Sequence, residues 1–366
     1  MKIYPLAKPE ISDEDIEAVT TVLKSPYLSR GPVVAEFEKQ FAKEVQVNYA
    51  CAINSGTAGL IIAMQALGVK AGDEVITVSF TVPATVNSIV ALGAIPIMVD
   101  IDLITLGMCP NALKQAISHK TKAIIVVHAF GKATQIDKLL SIARENSIKV
   151  IEDACEAIGN SYQGKPLGSL ADIGVFAFYP NKQITTGEGG MLVSNDQALH
   201  HQFELLRNHG RSMNGDLYDQ ISFGWNFRMS DINAALGLSQ LKRLKQIVTR
   251  RQEIASYYHK ILIQTNDIMC PEWSDDECNS AWFVYVVRLL SNDRDKLLLT
   301  LRDLGINCGR YFAPVHLQPY YRKKHPKLKL DNTELVASQC LALPFYLQLT
   351  KQDIVYICDK LVKSSQ

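Results

Sequence analysis

The sequence lacks the patterns that mark a metal centre, a disulfide framework or a membrane span. Its eight cysteines are scattered (Cys51, Cys109, Cys155, Cys270, Cys278, Cys308, Cys340 and Cys358), and none forms a C-x-x-C pair. That supports neither a zinc site nor dithiol redox chemistry, and reduced thiols in a cytoplasmic enzyme are the expectation. Charge of one sign is also missing. The 38 Lys and Arg meet 37 Asp and Glu, a formal net charge of +1. This leaves no electrostatic footing for nucleic acid or an anionic membrane, although a small anionic ligand needs only a few charges. The richest apolar run, "LIIAMQALGV", is short and contains Gln65, so no membrane span is expected. The stretch "MKIYPLAKPEIS" carries no apolar segment of the signal-peptide type. No repeats or low-complexity segments occur.

What is present is an ordinary globular composition, 47% hydrophobic and 20% charged. A chain of 366 residues exceeds one compact core, so two domains, or one large domain with an appendage, are expected. Ser12 can cap a helix with Asp15 as the reciprocal partner, and Ile16, Val19 and Leu23 then share one face. A second amphipathic helix is expected over 36–45, with Phe37 and Phe41 inward. The intervening "SPYLSRGP" is a loop by its Pro, Gly and Ser content. From residue 57 helices alternate with apolar strands: "EVITVS", "IPIMVD", "KAIIVVH" and "IKVIED" are separated by helical segments. This pattern predicts βαβ units and a parallel sheet covered on both faces. "IGVFAF" and "GMLVS" are further strands. After Asn195 the pattern changes. One long helical region is expected from Ser230 through His259, followed by a strand in "WFVYVVRLL" and helices over 294–304 and 351–363. The division is a large α/β domain over 1–250 and a smaller α+β domain over 251–366.

Three short stretches carry chemistry. In "FAFYPNKQITTGEGG" a single lysine, Lys182, stands between a strand and a glycine-rich segment, at the sheet edge where open α/β folds bind ligands. On its own it reads as a solvated lysine on a turn, and only partners make it a site. "IKVIEDA" puts Asp153 at the carboxyl end of a buried strand, where a carboxylate needs a cation or hydrogen-bond donors, unless it simply starts a turn. A protonated pyridine nitrogen is such a cation. In "NSGTAGL" a strand gives way to a helix at Ser55, Gly56 and Thr57. A helix start with a glycine suits phosphate, although an ordinary N-cap has the same letters.

Taken in this order, the stretches resemble the DegT/DnrJ/EryC1/StrS family of PLP-dependent nucleotide-sugar aminotransferases. The resemblance covers nearly the whole chain, through "SPYLSRGPVVAEFEKQFA", "VIEDACEAIG", "FYPNKQITTGEGGMLVSND", "LRNHGR", "GWNFRMSDINAALGLSQL", "HLQP" and "LPFY". It implies the fold-type-I aminotransferase architecture, with Lys182 holding pyridoxal 5′-phosphate (PLP) covalently. Asp153 would pair with the pyridine nitrogen, and Gly56 and Thr57 would bind the phosphate. Asn226 would reach the phosphate of a neighbouring subunit's cofactor, which implies a homodimer with shared active sites. Residues 27–32 and the stretch around His316 match regions lining the nucleotide-sugar site. The implied reaction carries an amino group, with L-glutamate as donor, to a nucleotide-linked keto sugar for surface-polysaccharide or secondary-metabolite amino-sugar synthesis.

Three positions depart from the commonest pattern. Ala177 stands where many members place a serine hydroxyl on the phosphate. Val82 stands where an aromatic often stacks on the ring. Glu156 stands where Gln or His usually faces the phenolic oxygen, and some perosamine-type members resemble this chain in carrying Glu there, which points to a 4-keto-6-deoxy sugar. A lost hydrogen bond and a lost stacking contact cost on the order of 1 kcal/mol each, so weaker cofactor binding is expected. Two alternatives stay open: a PLP-dependent sugar dehydratase, whose members have His at the lysine position, and a noncatalytic regulatory protein of the same fold. "FGKAT" lacks the earlier glycine of a P-loop. His128 is read as structural or cleft-lining, Trp225 and Trp282 as packing residues, His209 as a loop residue of the family pattern, and Arg228 as an interface or substrate contact.

Overall fold

The computed structural model describes residues 2–211, 219–272, 278–291 and 293–365. The chain runs α1 (Asp13–Leu23), α2 (Pro32–Glu44), β1 (Tyr49–Ile53), α3 (Gly56–Ala66), β2 (Glu74–Val78), α4 (Pro83–Ala91), β3 (Ile95–Val99), α5 (Pro110–Ala116), β4 (Thr121–Val127), α6 (Ile136–Glu145) and β5 (Lys149–Asp153). A short hairpin, β6 (Ser161–Tyr162) and β7 (Lys165–Pro166), precedes β8 (Ile173–Ala177) and β9 (Gly190–Ser194). Then come α7 (Gln197–Arg207), α8 (Asp231–Lys242), α9 (Leu244–Leu262), β10 (Ile268–Met269), β11 (Cys278–Asn279) and β12 (Tyr285–Leu289). The chain closes with α10 (Arg294–Asp303), α11 (Pro319–Lys324), α12 (Asp331–Gln339), β13 (Cys340–Leu343) and α13 (Lys351–Ser365).

Seven strands form the main sheet in the order β1-β9-β8-β5-β4-β2-β3. The run from β3 to β8 is parallel, as the alternation of apolar strands and helices predicts. β9 pairs antiparallel with both β8 and β1, so the sheet is mostly rather than wholly parallel. The antiparallel step matters for the site. β8 and β9 are joined directly, and their connection carries Lys182 over the carboxyl ends of β4, β5 and β8, where ligands of such sheets bind. One face of the sheet is closed by α2 and α8. There Phe37 and Phe41 point inward as expected, and Phe41 meets Phe176 edge-on at 5.0 Å. Aromatic pairs of this geometry are favourable beyond the area they bury.

Four expectations need correction. In α1 the inward face is Asp15 and Val22, while Ile16 and Leu23 are each 56% exposed. The capping box itself forms, with Ser12 and Asp15 bonded both ways at 3.0 and 3.3 Å. Asp15 is drawn inward because Arg243 donates to it at 2.6 Å and Gln240 at 3.1 Å. The same arginine interrupts the expected long helix, which is two helices, α8 and α9, meeting at Arg243. α2 begins four residues early, with Pro32 at its first position, where a missing N–H costs nothing. α7 was not expected, although Asp196 accepts from the N–H groups of Ala198 and Leu199 as a regular N-cap.

A second hydrophobic core contains Tyr285, Leu341 and Leu361 together with Tyr4 from the chain's start. Helix α9 belongs to both cores: Leu244 and Ile247 pack with the large sheet, and Ile254, Tyr258 and Leu262 pack with the second core. A boundary near residue 250 therefore falls inside one helix, and we keep 1–250 and 251–366 as a proposed division, with Tyr4 crossing it. Among the described residues no helix is long and apolar enough to cross a membrane.

Asp353 ties the two ends of the chain together. It accepts from Lys2 Nζ at 2.5 Å, from the Tyr4 hydroxyl at 3.1 Å and from Thr350. Burial pushes its carboxyl up, but these hydrogen bonds outweigh it and hold the group down at about 2. A depressed carboxylate stabilises the fold above its unfolded value of 3.8 and loses that contribution as pH falls through its folded value. Asp353→Asn should therefore lower the thermal midpoint at neutral pH. The gap from wild type should close as pH is lowered below about 4, within the reach of reversible folding. A gap that stays constant with pH would exclude the charge as its source.

Candidate active site

The end of β5 decides how the site is built. Successive residues of a strand point to opposite faces, so Glu152 and Asp153 part company. Glu152 is fully buried on one side, where it meets His128 Nε2 at 2.9 Å. It also accepts from the N–H groups of Gly168, Leu170 and Ala171 at 2.7–2.8 Å. It is the structural member of the acidic pair. Asp153 faces a cavity of about 340 Å³, a size that suits a small cofactor. Its Oδ2 accepts from the Thr85 hydroxyl at 2.9 Å, and its Oδ1 faces the N–H of Cys155 at 3.3 Å. His128 lines the same cavity, so both readings made of it hold.

Lys182 and Glu156 meet inside this cavity, Nζ to Oε1 at 3.2 Å, with 11% and 9% of their side-chain surface exposed. The other Glu156 oxygen accepts from the N–H of Phe130 at 2.8 Å, and Gln183 Nε2 holds the Glu156 carbonyl at 2.8 Å. Phe130 has φ 61°, a conformation that turns its N–H toward the carboxylate. Burial pushes the Glu156 carboxyl up, and Lys182 and the Phe130 N–H only partly oppose this. Lys182 Nζ also lies 4.1 Å from the centre of the Phe283 ring.

The third stretch arrives on α3. Ser55 caps this helix by accepting from Ala58 N at 3.1 Å, so the ordinary N-cap is there. The cap leaves the helix start with Gly56 and Thr57 at the cavity wall. A side chain at Gly56 would come within 2.8 Å of the Ala177 Cβ and 2.9 Å of Cys155 Sγ. Gly190 serves the same close approach from the other side, since a Cβ there would lie 2.8 Å from the Ser55 carbonyl carbon. The glycine-rich segment after Lys182 thus lets β9 run against the helix start.

Of the residues singled out from the sequence, Gly56, Thr57, Asp153, Glu156 and Lys182 line one cavity. Asn226 does not. It is exposed, and its stretch bridges back to Asn208 outside the cavity. Val82 and Ala177 do line it. In place of an aromatic at Val82, the walls include Tyr179, Phe283, Tyr311 and Phe312. Trp225 and Trp282 are packing residues as read, stacked on Phe227 at 5.2 Å and Tyr285 at 5.5 Å. His316 is turned inward, 1% exposed, between the Ser79 hydroxyl at 2.7 Å and Glu334 at 3.2 Å. Its side chain ties a loop to β2 and does not face the cavity. The loop before α2 is held by Asp231, which accepts from the N–H groups of Gly31, Val33 and Val34.

Several site residues escaped the sequence reading, Thr85, Cys155 and Phe283 among them. Thr85 had a usable signal, since it follows a strand in the first turn of a proline-started helix. Cys155 sits two residues past Asp153 against Gly56; burial pushes its thiol well up, which removes it as a nucleophile. Phe283 comes from a distant segment, and nothing in its neighbourhood marks it.

A helix start opened by a glycine, a buried carboxylate facing the cavity and a lysine at the sheet edge fit PLP's phosphate, pyridine and aldehyde ends respectively. Fold and cavity together define a PLP-dependent aminotransferase of the large-sheet type. The sequence profile of the DegT/DnrJ/EryC1/StrS aminotransferase family matches residues 9–362, and the chain belongs to that family. It is 37% identical to the spore coat polysaccharide biosynthesis protein SpsC of Bacillus subtilis (strain 168), over 96% of this chain and 94% of that protein. It is 34% identical to GDP-perosamine synthase of Escherichia coli O157:H7, over 99% of this chain and 98% of the other. The solved PLP form of Spr1654, a putative sugar aminotransferase from Streptococcus pneumoniae, superposes with a TM-score of 0.95. That match has 27% identity and covers 100% of this chain and 99% of the other.

The raised Glu156 carboxyl makes a signed prediction. A carboxyl whose folded value lies above its unfolded value weakens the fold as pH rises between the two, and costs nothing below both. In the cofactor-free protein, the stability difference between Glu156→Gln and wild type should move in the variant's favour as pH rises above about 4.5. Urea midpoints measured across that range test this; movement the other way would mean that Lys182 holds the carboxylate more strongly than burial opposes it.

Proposed function

We propose that the enzyme transfers an amino group from L-glutamate to the keto carbon of a nucleotide-linked sugar, a 4-keto-6-deoxy sugar in our assignment. The observation that carries this reading is the meeting of Lys182, Asp153 and Glu156 in one cavity beside the start of α3. The sugar side is supported by the two relatives, one named for GDP-perosamine synthesis and one for a spore coat polysaccharide.

In this reading Lys182 Nζ carries the cofactor, and Asp153 holds the proton on the pyridine nitrogen. Gly56, Thr57 and the first-turn N–H groups of α3 receive the phosphate. Bound PLP supplies an electron sink for the pair released at the donor's α-carbon. Freed from the cofactor, the Lys182 amine would take the proton from the donor's α-carbon and deliver it to the carbon that was the cofactor's aldehyde, and it would run the same transfer in reverse on the sugar side. Glu156 lies within hydrogen-bond reach of the amine and keeps it aimed into the cavity. The keto acid leaves before the sugar enters, so the kinetics are ping-pong. Asn226, exposed and outside its own chain's cavity, is assigned to the phosphate of a partner subunit's cofactor, with Arg228 as an interface or substrate contact and residues 27–32 lining the nucleotide-sugar site. The enzyme is thus a homodimer in this reading.

Lys182→Ala tests the core of the proposal. Wild type with PLP should show a visible absorption band that bleaches on addition of L-glutamate, and Lys182→Ala should fail to bleach. Turnover in that variant should fall about a thousandfold, the scale of a lost proton-transfer group. A wild-type band indifferent to glutamate would exclude glutamate as donor. The absence of any band would remove the enzyme reading.

A further inference from the structure

Arg251 is a buried cation on α9, 5% exposed. No carboxylate among the described residues pairs with it. Burial alone pushes its guanidinium down, to about 10, so it remains charged at neutral pH. A charge in such a place persists only where its donors are well used. Arg251 spends its two Nη groups on main-chain carbonyls, while its Nε has no partner among the described residues. Nη1 donates to Trp282 O at 3.0 Å and to Phe283 O at 3.2 Å, and Nη2 donates to Lys182 O at 3.3 Å. Its guanidinium also sits 5.5 Å from the centre of the Phe345 ring.

The three carbonyls come from two separate parts of the fold. Lys182 lies on the connection between β8 and β9 of the large sheet. Trp282 and Phe283 lead into β12 of the small sheet. Trp282 has φ 48°, a strained conformation for a bulky residue that surrounding contacts must maintain. The Phe283 ring then returns to Lys182 Nζ at 4.1 Å. One guanidinium thus holds the main chain of the lysine and the main chain of the ring that its amine rests on. Arg250, the neighbouring residue, makes a comparable clamp elsewhere. It donates to Leu347 O at 3.2 Å and to Leu349 O at 2.6 Å, with no contact to Lys182.

We propose that Arg251 is a positioning residue of the transfer reaction: by gripping Lys182 and Phe283 together it sets where the lysine amine stands in the cavity and ties that placement to the small C-terminal unit. The inference rests on the reading of Lys182 as the cofactor-bearing amine. Lysine cannot reproduce the planar fork, so Arg251→Lys keeps the charge and loses the grip.

The test is covalent capture of PLP by the cofactor-free protein, followed in time by borohydride trapping and peptide mass mapping. Thermal midpoints are recorded alongside. Arg251→Lys should capture PLP at Lys182 about tenfold or more slowly than wild type, the scale expected for a misplacement of an ångström or less. Arg250→Lys should capture at the wild-type rate. In the glutamate half-reaction the rate constant of Arg251→Lys should fall while the half-saturating glutamate concentration stays within about threefold, as for a loss of orientation rather than of binding. Phe283→Leu keeps all three carbonyl bonds and should reproduce the slow capture at near wild-type stability, which covers the case of an Arg251→Lys protein that fails to fold. Wild-type capture rates in Arg251→Lys or in Phe283→Leu would overturn the proposal, as would an equal slowing in Arg250→Lys. Trapping in wild type at a lysine other than Lys182 would instead overturn the functional reading on which it rests.

Discussion

Two adjacent carboxylates at the end of a central strand are the constraint on which the rest of this structure depends. A pleated strand cannot turn both to the same face. Glu152 goes to the side where protein alone must satisfy it, and four donors converge on it, three of them from the main chain of residues 168–171. That convergence fixes the segment leading into β8, and so fixes where β8 delivers its carboxyl end. Asp153 goes to the side with the cavity, where the Thr85 hydroxyl and the N–H and thiol of Cys155 are its partners among the described residues. A buried carboxylate so sparsely served suits a cationic ligand atom.

The cavity is also a place where charge is deliberately close-spaced. Lys182 and Glu156 make a short buried pair, and Asp153 stands nearby on the same wall. Such a pair contributes little to stability on its own account, because desolvation offsets the attraction. Its use is geometric: Phe130, in a left-handed conformation, fixes one carboxylate oxygen and leaves the other to aim the amine. Arg251 adds the same kind of control from behind, through carbonyls rather than through charge pairing.

Helix α9 makes the site one unit. Its first turns pack with the large sheet and its later turns with the second core, and Arg251 lies where the two meet. The walls of the cavity come from both parts, with Phe283, Tyr311 and Phe312 contributed by residues beyond the helix.

Much of the fold was legible in the sequence because its causes are local. Apolar runs of strand length, proline at helix starts and glycine at helix ends mark the alternation from α3 to β5 within single segments. Lys182, Asp153 and the S-G-T turn were legible for a related reason: each sits at a strand end or helix start, and sheet topology brings such ends together whatever the side chains between them. Where a residue's place depends on a distant partner, local pattern misled or was silent. Asp15 turned inward, against the apolar face of its own helix, because Arg243 waits more than two hundred residues away. His316 is buried because Ser79 and Glu334, distant in sequence or set on another element, hold its ring. The sequence by itself therefore determined the strands of the main sheet, their order along the chain and the cofactor class of the site. Tertiary structure alone decided which of two neighbouring carboxylates faces the cavity, which aromatics wall it and which arginine holds the lysine, because those outcomes are settled by contacts between segments that no local pattern connects.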